Sequence, residues 1–207
     1  QQGQNWSQPP WSPRSLAECG YTPLRDMVRA ALANAGAVRI DHILGMFRLW
    51  WIPEGCVATE GTYVYYDHEA MMGIILLEAQ RAGAVVIGED LGVVEPWVRD
   101  YLRDRGVLGT SVVWFEKEGG GWPLRPEHYR DRALAAVNIH DLPPTLGYIR
   151  GIQTTLRSEL GLLTDDIETV RAADRLELDQ VAARLHEYGC IDGAEPSERD
   201  IAVQALD

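Results

Sequence analysis

The sequence has only three cysteines in 207 residues, Cys19, Cys56 and Cys190. They are far apart, odd in number and form no CxxC pair. That argues against a disulfide framework and a zinc ribbon, and points to reduced thiols in a cytoplasmic protein. Basic residues are also scarce. Lys and Arg number 19 against 31 Asp and Glu, a formal net charge of -12. Such a chain lacks the basic stripe that binds nucleic acid or an anionic membrane surface. No run approaches the ~20 apolar residues that span a bilayer. The start, Gln1-Gln2-Gly3, has no initiator Met and neither the basic nor the apolar part of a signal peptide. GxGxxG, GxxxxGK and HExxH are all missing, which removes the common local signatures of nucleotide and zinc chemistry.

What is there is ordinary globular material. Hydrophobic residues make up 46% and charged residues 24%, so the chain has the means to fold. At roughly 100–200 residues per domain, this length makes one domain or two small ones. Residues 1–20, rich in Pro, Ser and Trp, read as an irregular lead-in. Thr22-Pro23 starts a helix, with Thr as cap and Pro at the first position. Leu24, Met27, Val28, Ala31 and Leu32 follow at helical spacing. Gly36 ends that helix, and Ala37–Ile40 reads as a buried strand. The unit recurs as a helix over 69–82 and a strand Ala84–Ile87, then as a helix from Glu95-Pro96 to Arg105 and a strand Ser111–Phe115. Residues 116–133 read as a loop, and Leu134–Ile139 as a further strand. Short apolar strands alternating with amphipathic helices predict an α/β fold with a helix-covered parallel sheet. Beyond Gly147 the chain turns helical, with a cap at Thr164-Asp165-Asp166 and a further helix over 174–188. Glu195–Asp200 reads as a polar linker.

In parallel α/β folds, ligands bind beyond the carboxyl ends of the strands. Asp41-His42, Glu89-Asp90 and His140-Asp141 stand there. Sheet packing does not call for carboxylates, which are costly to bury without partners. Taken singly, an Asp after a strand is a turn former or a helix cap, and Asp90 fits that description. Glu89 does not, because Glu is a poor cap. His68, His128 and His186 read as surface residues. Carboxylates gathered at one sheet end suit glycosidic chemistry, where one attacks the anomeric carbon and another protonates the leaving oxygen. Arg39 precedes Asp41 by two residues and shares its strand face. A guanidinium there favours the ionised carboxylate that a nucleophile needs. Glu89 is then the proton donor. His42 and His140 can hydrogen-bond sugar hydroxyls. Tryptophans can stack on sugars, though core packing is the plainer account of any one of them. A metal site competes for the same residues, but Arg39 opposes a cation.

Residues 38–42 (VRIDH), continuing as GMFRLWWIPEG over 45–55, resemble the nucleophile region of the bacterial 4-alpha-glucanotransferases. These are the amylomaltases or disproportionating enzymes of the alpha-amylase clan. The segment GEDLG at 88–92 is similar to the family's acid/base motif, and HDLPPT at 140–145 to its third-carboxylate motif. Gly3-Gln4-Asn5-Trp6 with Pro9-Pro10-Trp11 is similar to the loop before the nucleophile strand. The resemblance implies part of a (β/α)8 TIM barrel, typically ~250 residues. About four parallel strands, barrel strands four to seven, are recognisable, followed by the helical segment. The chain is therefore expected to be an internal piece of a larger enzyme. Residues 1–150 would form a partial catalytic barrel carrying the three carboxylates, and 151–207 a helical segment.

The implied activity is 4-alpha-glucanotransferase, by retaining double displacement. Asp41 would be the nucleophile, Glu89 the acid/base and Asp141 the transition-state stabiliser. Arg39 would hold Asp41, while His42, His140, Trp6 and Asp90 would serve the substrate. The implied partners are maltooligosaccharides or other alpha-1,4-glucans, with neither metal nor cofactor. An alpha-amylase-type hydrolase and a non-catalytic glucan-binding remnant are the alternatives. Ile139 stands where the family usually has Thr, and Ser7 where it has Gly. Half a barrel leaves sheet edges open, so the isolated residues are expected to be inactive or to self-associate. Glucose release from maltotriose at a whole enzyme's rate would contradict that.

Overall fold

In the computed structural model, which describes residues 5–192 and 197–204, the lead-in already contains a helix, α1 (Pro13–Glu18). Its signal was local and hidden by composition: Ser12 accepts the Ser15 N–H, and Pro occupies the first turn. Helix α2 (Thr22–Leu32) follows. Thr22 is its first residue rather than its cap. Tyr21 takes the cap position at φ +56°, and the Thr22 hydroxyl donates back to the Cys19 carbonyl at 2.8 Å. Strand β1 (Ala37–Ile40) is as expected.

An unexpected antiparallel hairpin comes next, β2 (Arg48–Trp51) paired with β3 (Thr62–Tyr65). No two-residue turn signal announces it, because a long connection containing Pro53, Gly55 and Gly61 separates its strands. Helix α3 (His68–Ala82) is capped by Asp67, which accepts the Ala70 N–H at 3.0 Å. Gly83 ends it at φ +64°, a conformation glycine takes at no steric cost. That turn feeds β4 (Val85–Gly88). Helix α4 (Pro96–Asp104) leads to β5 (Gly109–Val112), and a loop with two 3-10 turns leads to β6 (Ala133–Ala136). Both strands end earlier than Phe115 and Ile139. After β5, the Phe115 and Glu116 amides turn back onto the Val112 carbonyl. After β6, the Asn138 side chain takes the Ile139 N–H at 2.8 Å and so competes with the ladder.

The chain packs as two compact units. One holds the residues up to Thr110 with Arg132–Leu134; the other holds Ser111–Asp131 and the residues from Ala135 onward. This division does not coincide with the boundary expected near residue 150. The helical tail packs on the loop after β5: Arg184 donates to the Pro123 carbonyl and pairs with Glu118 at 2.6 Å.

In the first unit β1 and β4 run parallel, from Ala37↔Val85 to Ile40↔Gly88. Ile87 makes a parallel bridge to Leu108. The buried core includes Val28 and Leu32 of α2, Met72 and Ile75 of α3, Val86 of β4 and Val98 of α4. Helices α2 and α3 are also clamped by Arg29, whose guanidinium donates to both oxygens of Glu78 at 2.6 and 3.0 Å.

The second unit adds α5 (Thr145–Ile149), α6 (Ile152–Glu159), α7 (Ile167–Glu187) and α8 (Glu198–Gln204). Helix α7 is continuous from its cap, where a separate helix over 174–188 was expected. Asp166 accepts the Glu168 and Thr169 amides and starts it. The expected linker at 195–200 becomes helical from Glu198. Glu195 and Pro196, like Gly3 and Gln4 of the lead-in, lie outside the described residues. No disulfide joins Cys19, Cys56 and Cys190. Among the described residues, no helix is long and apolar enough to cross a membrane.

Candidate active site

Strand register builds the site. Ile40 lies opposite Gly88 in the parallel pair, so Asp41 and Glu89 leave β1 and β4 abreast. Neighbouring strands are about 4.8 Å apart. The Glu89 N–H donates to the Ile40 carbonyl at 2.9 Å, and the Ile43 N–H returns to the Glu89 carbonyl at 3.2 Å. The ladder thus runs past the strands and fixes the main chain of both acids. Close packing fixes it further. A Cβ on Gly88 would sit 2.5 Å from Cδ1 of the fully buried Ile43.

His42 takes a left-handed conformation, φ 47° and ψ 54°. Among non-glycine residues, His is one of the more tolerant of this region. The turn directs its main-chain N–H to Glu89 Oε2 at 3.0 Å. Its ring bridges the two acids, with Nδ1 3.4 Å from Glu89 Oε2 and Nε2 3.6 Å from Asp41 Oδ2. The Leu91 N–H donates to Glu89 Oε1 at 2.7 Å. Both oxygens of this carboxylate, whose side chain is 8% exposed, therefore meet main-chain amides, which offsets its burial. Arg39 donates from Nη1 to Asp41 Oδ1 at 2.7 Å, as the two-residue spacing predicted. The Trp6 ring packs against His42 at 4.7 Å between centroids. Ser7, where the resembled family has glycine, adopts φ +55°. That strain is roughly 1–2 kcal/mol.

An oxygen of Asp41, a ring nitrogen of His42 and an oxygen of Glu89 lie within 4.8 Å of one another. A cation could be held at that spacing, but the Arg39 guanidinium on Asp41 opposes it. For glycosidic chemistry the spacing is informative. Retaining pairs stand about 5–5.5 Å apart and inverting pairs about 6.5–9.5 Å. In this structure an oxygen of Asp41 and an oxygen of Glu89 approach within 4.8 Å.

Asp90 is placed differently from the sugar contact expected of it. At 2% exposure it is buried, and its Oδ1 accepts the Thr110 N–H at 2.9 Å while Arg99 lies 3.7 Å from Oδ2. His140 and Asp141 form their own pair in the second unit, at 3.4 Å and both exposed. They lie beyond the end of β6, in a loop held by the Asn138 amide on the Pro143 carbonyl at 2.6 Å.

His68 is not an isolated surface residue. It stacks on Phe47 at 4.9 Å and meets Trp97 and Tyr101 edge-on. Burial, with the hydrogen bond to Glu69, pushes the Tyr101 hydroxyl up to about 12. Sequence reasoning also missed the amides of His42 and Leu91 as holders of Glu89. No side-chain pattern reveals a main-chain donor.

The profile of a protein family described as 4-alpha-glucanotransferase matches residues 1–206. A 4-alpha-glucanotransferase of Mycobacterium tuberculosis is 56% identical over 211 residues, covering 100% of this chain and 29% of the relative. The chain thus spans less than a third of that relative's length. In structure, amylomaltase from Corynebacterium glutamicum superposes with a TM-score of 0.82 at 50% identity, over 88% of this chain and 27% of that one. Amylomaltase from Streptococcus agalactiae, solved with acarbose, gives 0.67 at 18% identity, over 98% of this chain and 36% of that one, a likeness of fold.

Proposed function

The chain belongs to the 4-alpha-glucanotransferase family, and on that premise we propose that it carries the catalytic carboxylates of a retaining transfer between alpha-1,4-glucans. Strands β1, β4, β5 and β6 are read as strands four to seven of a (β/α)8 barrel. Asp41 attacks the anomeric carbon of the donor. The glycosidic bond breaks, and Glu89 gives its proton to the departing glucan oxygen. A covalent glucosyl-enzyme results. Glu89, now a carboxylate, takes the proton of an incoming 4-hydroxyl, whose oxygen displaces Asp41 and restores the bond in a new molecule. Arg39 orients Asp41, and Asp141 grips hydroxyls of the distorted sugar. His42, His140 and Trp6 contact that sugar. Asp90 is assigned to the protein's own framework. No cofactor takes part in this scheme.

The observation that carries the reading is the separation of at most 4.8 Å between oxygens of Asp41 and Glu89, bridged by His42. A glucan-like ligand is supported by the acarbose-bound amylomaltase of similar fold. The test is the product set from maltotriose in the complete protein. Transfer yields glucose and longer maltooligosaccharides without a net gain of reducing ends; hydrolysis raises reducing ends. Asp41→Asn should abolish turnover. Glu89→Gln should lower it by about 10²–10⁴-fold. Parental activity in either variant removes the assignment.

A further inference from the structure

The sheet is rewired on both sides of Glu89. Parallel strands exchange evenly spaced rungs. Leu108 donates its N–H to the Val86 carbonyl at 3.0 Å, and Gly88 donates to the Leu108 carbonyl at 2.7 Å. The next rung of that ladder would run from the Thr110 N–H to the Gly88 carbonyl. It does not. The Thr110 N–H goes to Asp90 Oδ1 at 2.9 Å, and the Thr110 hydroxyl takes its place on the Gly88 carbonyl at 3.1 Å. One side chain thus substitutes for a main-chain donor, and one carboxylate for a main-chain acceptor. Thr110 and Asp90 are 1% and 2% exposed, so no water competes for these bonds.

The two residues gripped by Thr110, Gly88 and Asp90, flank Glu89 in the chain. We propose that Thr110 is a positioning residue for the Glu89 carboxyl. It holds both neighbours while the strand end opens, so that the Glu89 side chain meets the amides of His42 and Leu91 rather than rotating within the sheet. Position 110 then requires a hydroxyl, and β-strand packing alone does not. This inference rests on the reading of Glu89 as acid/base, and its test separates the two.

The test compares Thr110→Val, which keeps shape and loses the donor, with Thr110→Ser, which keeps the donor. Each is made in the complete protein. Two donors are used: maltotriose, whose leaving glucan needs a proton, and α-maltosyl fluoride, whose fluoride departs without one. The kcat/KM for each reports formation of the glucosyl-enzyme. Thr110→Val should lose about tenfold or more on maltotriose, a displacement effect, and less than about twofold on the fluoride, where no general acid is needed. Thr110→Ser should restore the maltotriose value. Where valine prevents folding, the Ser and Ala variants, which differ only in the hydroxyl, give the same comparison. Equal losses on both donors, or none on either, overturn the proposal. Glu89→Ala serves as the reference: a selective loss on maltotriose there, beside equal losses in Thr110→Val, defeats the positioning role alone. Equal losses in Glu89→Ala defeat the acid/base reading, and this role with it.

Discussion

Gly88→Ala tests whether close packing, rather than backbone freedom, sets the geometry of the site. Gly88 does not occupy the left-handed region, so alanine can adopt its backbone, and loss of glycine's unfolded-state entropy would by itself stabilise by about 0.4–1 kcal/mol. The added Cβ, however, falls 2.5 Å from Ile43 Cδ1, 3.1 Å from Cγ2 and 3.3 Å from Cβ. Ordinary contact begins at 3.4 Å, so Ile43 must retreat by about 0.9 Å. Ile43 is fully buried and its N–H holds the Glu89 carbonyl, so that displacement reaches the acid. Overpacking of this kind costs about 1–3 kcal/mol, which outweighs the entropic gain. At about 2–4 °C per kcal/mol for a chain of this size, the net fall in Tm is several degrees. A shift near 1 Å beside a reacting group can cost about 10²-fold in rate. Ile43→Val removes Cδ1 and alone costs about 0.5–1.5 kcal/mol. The double variant should then be more stable than the sum of the singles by about 1 kcal/mol and recover part of the activity. Thermal unfolding of the four proteins, and maltotriose turnover of the same variants made in the complete protein, measure this cycle. Additive stabilities, or a Gly88→Ala protein as active and stable as its parent, would refute the reasoning.

The Arg29–Glu78 clamp makes a prediction about acid. The hydrogen bond from Arg29, with the charges of Arg29 and Arg81, holds the Glu78 carboxyl below its ordinary value of 4.5. A depressed folded value means stability that is present above 4.5 and lost as pH falls through the folded value. Glu78→Gln should therefore lower Tm at neutral pH, with the gap from the parent closing in acid; a gap independent of pH speaks against the clamp. Tyr101 has the opposite sign, since its raised value of about 12 gives stability present below 10 and lost as pH climbs through 12. In an ultraviolet titration, Tyr101→Phe should remove absorbance that appears near pH 12, below the last step, which belongs to the more strongly raised Tyr148; a loss near 10 contradicts the buried environment. Asp90→Ala leaves the buried Thr110 amide without its carboxylate acceptor and should cost about 1–3 kcal/mol. Asp90→Asn, which keeps an oxygen there, should retain Tm and the KM for maltotriose. A raised KM at unchanged stability would return Asp90 to the sugar.

The elements nearest the site were the most legible. Ala37–Ile40 and the helix before it follow from apolar spacing and the Thr22-Pro23 start, and the pairing of Arg39 with Asp41 follows from the two-residue period of a strand. The hairpin at 48–65, the helix in the lead-in and the early ends of β5 and β6 were not legible. The hairpin depends on a partner distant in sequence, the end of β6 on a side chain that competes with the main chain, and the lead-in helix and the end of β5 on local caps and turns that composition does not reveal.

Taken alone, the sequence pointed to candidates for the chemistry: carboxylates just past apolar strands, in motifs ordered as in one enzyme family. Tertiary structure alone decided how they are held. The register of β1 on β4 sets Asp41 beside Glu89. Buried Asp90 turns inward to Thr110, and His42 offers its amide as well as its ring. Residue types and their spacing are written along the chain. Register, burial and main-chain donors exist only once distant segments meet, because one residue's environment is made of others far away in sequence.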